Sequence, residues 1–245
     1  MKKSILLFAL VLGMLPSLLV GQATEDVMTA DQIIDNYIEA IGGAKVWKST
    51  KNMKADGKIM MGGMEFNYVV HTSAPNLMRL DADVMGQTLT QSYDGETAWQ
   101  INPMMGTSAP SKMSEVEAKQ VNQSELVPEF IDYAERGFTV ELMDEREVEG
   151  VATQGIRLTD GKDKDLTYYF DLENFVPIMA ETVIKDGDMK GATATMKFSD
   201  YQEVDGMMMP FFIENSSPQG SVKLITTKVE TNVEIEDGFF AMPEK

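Results

Sequence analysis

Apolar and polar residues follow two rhythms along this chain, and the switch between them marks its architecture. Ile33, Ile34, Tyr37, Ile38 and Ile41 fall at the spacings of one helical stripe. Thr29 and Gln32 precede them with capping-box spacing, so each side chain can satisfy a free amide at the helix start. Gly42-Gly43 ends the helix, because glycine takes the left-handed C-terminal conformation cheaply. Ala44 to Ser49 reads as one further turn carrying Trp47.

From Lys51 the rhythm is that of strands. Short β-prone runs are broken by Gly62-Gly63, Ser73 to Asn76, Met85-Gly86 and Asp94-Gly95. Turn signals roughly 8 to 12 residues apart predict a meander of antiparallel strands. Phe66, Tyr68 and Val70 share one face by period-two alternation, and Trp99 and Ile101 share another. Residues 103–137 interrupt the pattern: a loop from Pro103 to Lys112, a helical piece capped by Ser114 through about Val121, and a second from Ser124 to Arg136. The second carries Leu126, Val127, Phe130, Ile131 and Ala134 on one side, with Pro128 near its first turn and Gly137 closing it. Strands resume at Phe138, turning at Glu149-Gly150, Asp160-Gly161, Glu173-Asn174, Asp186-Gly187 and Asp205-Gly206. The expected fold is mainly β, with about eleven strands in one antiparallel sheet. A sheet of that size must curl, and an apolar helical insertion can cover its open end.

The first residues read differently. Lys2 and Lys3 precede an apolar run from Ile5 to Leu15, then Pro16, Ser17 and small residues at Gly21 and Ala23. That is the layout of a cleaved secretory signal over 1–23, leaving 24–245 as one domain. Pro16 interrupts the run well short of the roughly 20 apolar residues that span a bilayer. The chain has no cysteine, so no disulfide staples the domain and no thiol carries lipid. With 39 acidic and 21 basic residues the net charge is −18, and removal of Lys2 and Lys3 makes it −20. Nucleic acid and anionic bilayer surfaces are therefore poor partners.

Candidate chemistry is sparse. His71 is the lone histidine, on an apparent strand with no nucleophile motif nearby, and reads as a half-exposed strand residue. Zinc normally needs several His or Cys ligands, so composition argues against it. In the run Asp160-Gly161-Lys162-Asp163-Lys164-Asp165, lysines occupy positions where a calcium loop needs oxygen ligands. No carboxylate pair of the glycosidase kind is singled out. The 20 methionines, with Met60, Met61 and Met64 close together and Met207 to Met209 consecutive, admit three readings: core filling, an adaptable apolar cavity, or Cu(I) ligation. Copper lacks repeated spacing and histidine support here.

Pro75-Asn76-Leu77, Asp94-Gly95-Glu96-Thr97-Ala98-Trp99, Asn102-Pro103 and the closing Glu236-Asp237-Gly238-Phe239-Phe240-Ala241-Met242-Pro243 together resemble the periplasmic carriers of outer-membrane lipoproteins, the LolA-like family. The resemblance implies an unclosed, strongly curled β-barrel with an N-terminal helix and a central helical lid. It also implies an apolar cavity that shields lipoprotein acyl chains during sorting to the outer membrane. No cofactor is implied. Leu77, Leu89, Tyr93, Trp99 and Ile101 from successive strands are candidate cavity residues, with Phe130 and Ile131 on the lid stripe facing the mouth. The best-known carriers have a lid-latching arginine directly before Pro-Asn-Leu. This chain has Ala74 there, and the role does not transfer to Arg79.

The leading expectation is a non-enzymatic periplasmic carrier, not lipid-anchored, with lipoprotein or other acyl-bearing cargo and membrane proteins for loading and unloading. The alternatives are a lipid- or lipoprotein-sensing interaction module of the same fold and, third, an enzyme using a cavity carboxylate. If the signal reading holds, N-terminal sequencing of protein purified from its own envelope gives a start near Thr24; an intact Met1 overturns it.

Overall fold

The computed structural model describes residues 28–243 apart from positions 107, 122–124, 163 and 186–188. The signal segment, the start of the expected second helix at Ser124 and the Asp186-Gly187 turn lie outside the described residues. Two helices, α1 (Ala30–Ala40) and α2 (Ala44–Ser49), precede six strands: β1 (Asn52–Met61), β2 (Met64–Ser73), β3 (Leu77–Val84), β4 (Gln87–Tyr93), β5 (Ala98–Ile101) and β6 (Ser111–Lys112). A third helix, α3 (Glu115–Val121), and a run of turns follow. Seven strands then complete the chain: β7 (Thr139–Val148), β8 (Val151–Thr159), β9 (Asp165–Asp171), β10 (Val176–Val183), β11 (Thr193–Val204), β12 (Met207–Ser217) and β13 (Gly220–Thr231).

All thirteen strands form one sheet in the order β6-β5-β4-β3-β2-β1-β13-β12-β11-β10-β9-β8-β7, antiparallel throughout. The sheet is curled and unclosed, as expected. It exceeds the expected eleven strands by two for local reasons. The last apolar run folds back at Ser217 to Gly220, where Gly220 has φ 130°, and β6 is a two-residue pairing too short to leave a pattern. Strands β6 and β7 are neighbours in sequence but occupy opposite edges. The described residues between them, 113–121 and 125–138, therefore lie on the connection from one edge of the sheet to the other.

Helix α1 forms where the stripe and cap predict it, with the Thr29 and Gln32 side chains exchanging both cap bonds. Its end is fixed by contact with the sheet. A Cβ at Gly42 would lie 1.8 Å from the Gly206 carbonyl oxygen, so only glycine permits this approach. The Met208 amide donates to the Ile41 carbonyl at 3.1 Å, and the Trp47 indole donates to the same oxygen at 2.9 Å. Ile33, Ile34, Tyr37 and Ile41 are thereby buried against Ile156, Leu158, Tyr168 and Phe170 of the sheet. Burial of each such side chain is worth about 1.5–3 kcal/mol.

The predicted Ser124–Arg136 helix is replaced by bends and turns over 125–137. Pro128 lacks an amide hydrogen and disfavours helical backbone at Val127, and Asp132 takes a left-handed φ of 54° that ends the following turn. Single-turn bonds remain, from the Ile131 amide to the Pro128 carbonyl and from the Arg136 amide to the Asp132 carbonyl, both 3.0 Å. The apolar stripe survives in part: Leu126, Phe130 and Ile131 are buried, whereas Ala134 is exposed. This segment is called the strap below.

Register assigns the two faces, because side chains of directly paired residues project to the same side. Phe66, Tyr68, Ala82 and Val84 form a buried cluster with Leu89 and Leu224. The pairings Leu224↔Ile213 and Ile213↔Phe198 put it on the face that α1 and the strap cover further along. The opposite face carries the paired residues His71, Arg79, Ser92 and Trp99, and the C-terminal segment clasps it. The Trp99 indole donates to the Phe240 carbonyl at 2.8 Å, the Ser92 hydroxyl lies 2.9 Å from the same oxygen, and Arg79 donates to the Phe239 carbonyl at 3.0 Å. The Phe239 ring meets His71 edge-on at 4.8 Å, and the buried His71 Nδ1 has no hydrogen-bond partner among the described residues.

Burial first, then the nearby Lys54 ammonium, hold the His71 imidazole below its ordinary value of 6.5; Asp81 opposes them, and Arg79 and Asp56 act more weakly in opposite senses. Below about pH 6.5 the unfolded chain therefore takes up the proton before the folded one, and stability falls with acidification. Asp160, Asp165, Glu117 and Glu230 are held below their ordinary values and add losses at lower pH. We expect the unfolding midpoint of His71→Asn to fall less than that of the parent between about pH 7 and pH 5, as read by denaturant titration.

Candidate functional site

A cavity of about 520 Å³ lies between the helix-covered face of β9–β12 and the strap. That is within the range of about 300–1,000 Å³ typical of small-molecule sites. Strand alternation turns Tyr168, Met196, Phe198 and Ile213 toward it, and Met208 and Met209 come from the consecutive methionines at the start of β12. Tyr37 and Trp47 form the helical wall, and Val127 and Phe130 the strap wall. The flexible thioethers let this wall adapt its shape.

Phe130 is the anchor of the strap, with a side chain only 2% exposed. Its ring makes edge-to-face contacts with Tyr37 at 5.7 Å, Tyr168 at 5.0 Å and Phe170 at 5.5 Å. Each such pair adds about 0.5–1.5 kcal/mol beyond area burial. Burial pushes the Tyr37 and Tyr201 phenols well up, so both stay neutral; the Tyr201 hydroxyl donates to the Pro177 carbonyl at 2.6 Å.

Four charged side chains, Glu125, Glu129, Arg136 and Lys164, share the lining with the apolar residues, and charge ties the strap down. Lys164, just before β9, pairs with Glu129 of the strap, and Lys48 of α2 pairs with Asp132. The Tyr133 hydroxyl donates to Asp31 at 2.5 Å, a bond that pushes this phenol up to about 12. Within the strap, Arg136 pairs with Glu125 and donates to the carbonyls of Pro128 at 3.0 Å and Ile131 at 3.2 Å. Among the described residues no group of three or more His, Asp or Glu side chains is gathered as a metal site.

The structure distributes the candidate residues over several places. Phe130 lines the cavity and Ile131 lies fully buried in the same core. Leu89 joins the Phe66–Tyr68 cluster on the helix-covered face, and Tyr93, paired with Met78, donates its hydroxyl to the Gly95 carbonyl at 2.8 Å. Leu77 pairs with Ser73 on the face that carries Arg79 and Trp99. Trp99 is under the C-terminal clasp, and Ile101 lines a separate rim hollow of about 420 Å³. Sequence reading missed Lys164, Glu129, Met196, Phe198 and Tyr201; the one local signal was the methionine run ahead of Pro210.

No family model matches this sequence, and no curated relative does. Solved structures do. A LolA superfamily protein from Nitrosomonas europaea superposes with a TM-score of 0.58 at 14% identity, covering 88% of this chain and 98% of that one. A DUF1329 family protein from Desulfovibrio piger gives 0.57 at 12% identity over 87% and 98% of the two chains. A Vibrio parahaemolyticus domain described as outer membrane lipoprotein-sorting gives 0.56 at 12% identity over 85% and 94%. The fold is thus LolA-like, as the sequence resemblance implied. Among the described residues no helix is long and apolar enough to cross a membrane.

Phe130 both lines the cavity and locks the strap into an aromatic set, so its truncation tests whether the strap is integral to the fold. We expect Phe130→Ala to lower unfolding free energy by about 3–5 kcal/mol in a denaturant titration. A loss below about 1 kcal/mol would mean that the strap is only loosely seated.

Proposed function

We propose that this protein is a non-enzymatic carrier of the bacterial periplasm that holds the acyl chains of lipoproteins or other acyl-bearing cargo in the cavity beneath the strap. The observation that carries the reading is a mainly apolar, methionine-lined cavity whose charged lining residues are paired with each other, Lys164 with Glu129 and Arg136 with Glu125. The LolA-like fold supports it, and so do the export signal read from residues 1–23 and the lack of cysteine. Membrane proteins of the envelope load and unload such a carrier.

The energetics suit reversible carriage. Each methylene taken from water is worth about 0.8 kcal/mol, so a chain of about 16 carbons gains on the order of 10 kcal/mol. Ordering and immobilisation offset much of this, leaving affinities on the order of micromolar. Trp47 lines the cavity, whereas Trp99 is sealed under the C-terminal clasp, and the chain has two tryptophans in all.

Delipidated protein titrated with saturated fatty-acyl probes of increasing length should bind saturably, more tightly with each added pair of methylenes. Intrinsic fluorescence should respond in the parent and in Trp99→Phe, and be silent in Trp47→Phe. Absence of saturable binding at every chain length would falsify the carrier reading.

A further inference from the structure

Resting on the acyl-cavity reading, we infer that this cavity selects acyl chains bearing an anionic head group, carboxylate or phosphate, and that Lys164 binds the head in the place Glu129 now occupies. Lys164 lines the cavity with a side chain only 16% exposed, and Glu129, 20% exposed, is its partner. This is the least exposed ion pair among those of the described residues. An ammonium so placed is costly to leave without a counter-charge, because the wall around it cannot replace lost hydration.

The two partners sit on different parts of the molecule. The Lys164 backbone is fixed in the β8–β9 connection: its amide donates to Asp160 Oδ1 at 3.0 Å, and its carbonyl accepts from the Thr159 hydroxyl at 2.9 Å and the Asp160 amide at 3.2 Å. Glu129 belongs to the strap. When the strap lifts to admit a chain, Glu129 leaves with it while Lys164 stays, 5.4 Å from the face of Phe138. A neutral head group would leave that ammonium unpaired beside the acyl chain. An anionic head restores the pair and forms a charge-assisted hydrogen bond. Arg136 does not compete for this role, since it is braced to the strap's own carbonyls and to Glu125 and moves with them.

The protein's net charge of −18 repels anions at long range, so the informative quantity is the ratio of affinities for charged and neutral probes of equal chain length. Palmitate, palmitoyl lysophosphatidate and the neutral monopalmitoylglycerol provide it, read by Trp47 fluorescence. We expect at least one anionic probe to bind roughly tenfold more tightly than the neutral one, the size of a single charge-assisted hydrogen bond. The better of the two anions identifies the head-group chemistry. Lys164→Gln should bring the ratio toward one, and Lys164→Arg should keep it. Glu129→Gln, which removes the resident competitor, should raise it. A ratio near one in the parent, or one unchanged in Lys164→Gln, overturns the head-group assignment while leaving the acyl cavity standing. If none of the three probes binds, the carrier reading fails and this assignment with it.

Discussion

A sheet of thirteen antiparallel strands whose edges do not meet presents one broad apolar face that must be kept from water. The opening and middle of the chain serve that requirement. Helices α1 and α2 cover the face over β8–β12, and α3 lies over β4 and β5, where Gln100 reaches Glu117. The strap belongs to the connection between β6 and β7, which hold opposite edges, and it packs over β9–β12. Where strap, helices and sheet fail to meet, about 520 Å³ remains unfilled. The cavity is thus the remainder of an incomplete closure, lined by whatever apolar side chains the sheet already turns inward.

The strap shows how burial and charge divide the work. Its pairs Lys48–Asp132 and Arg136–Glu125 are partly exposed and contribute about 0–1 kcal/mol each, and in the less exposed Lys164–Glu129 the cost of desolvation offsets much of the attraction. Leu126, Phe130 and Ile131 contribute more, at about 1.5–3 kcal/mol per buried side chain. Apolar anchoring therefore holds the strap down, and the charged tethers decide where along the sheet it sits. The strap's tethers come from α1, α2 and the β8–β9 connection: Asp31, Lys48 and Lys164.

The opposite face obeys the same logic with different parts. Arg79, Ser92 and Trp99 carry polar hydrogens on a face that would otherwise be wet, and the carbonyls of Phe239 and Phe240 accept from them. The motif residues Trp99, Phe239 and Phe240 that carried the family resemblance thus meet each other far from the cavity. Their grouping holds the C-terminal clasp in place.

Local physics is legible one residue at a time, and that is the part the sequence alone determined. The α1 stripe and its cap, the glycine turns and the alternating strands all rest on neighbours within a few positions, and α1, its cap and the turns at Gly62-Gly63, Glu149-Gly150 and Asp205-Gly206 lie where the pattern put them. Pro128 and Asp132 mark the limit of that legibility, for the strap's apolar spacing fits a helix and equally fits successive turns over a greasy surface. Only the tertiary structure decided which face of β3–β5 looks toward the cavity. Period two puts Trp99 and Ile101 on one side of β5 and Leu89 and Tyr93 on one side of β4, but says neither which side is in nor how the sides of neighbouring strands match. Pairings such as Leu224↔Ile213, long-range in origin, settle that by joining the Leu89 side to the core. Lys164 and Glu129, 35 residues apart, become partners for the same reason: strap and hairpin meet only after the sheet has curled, and no spacing along the chain encodes that encounter.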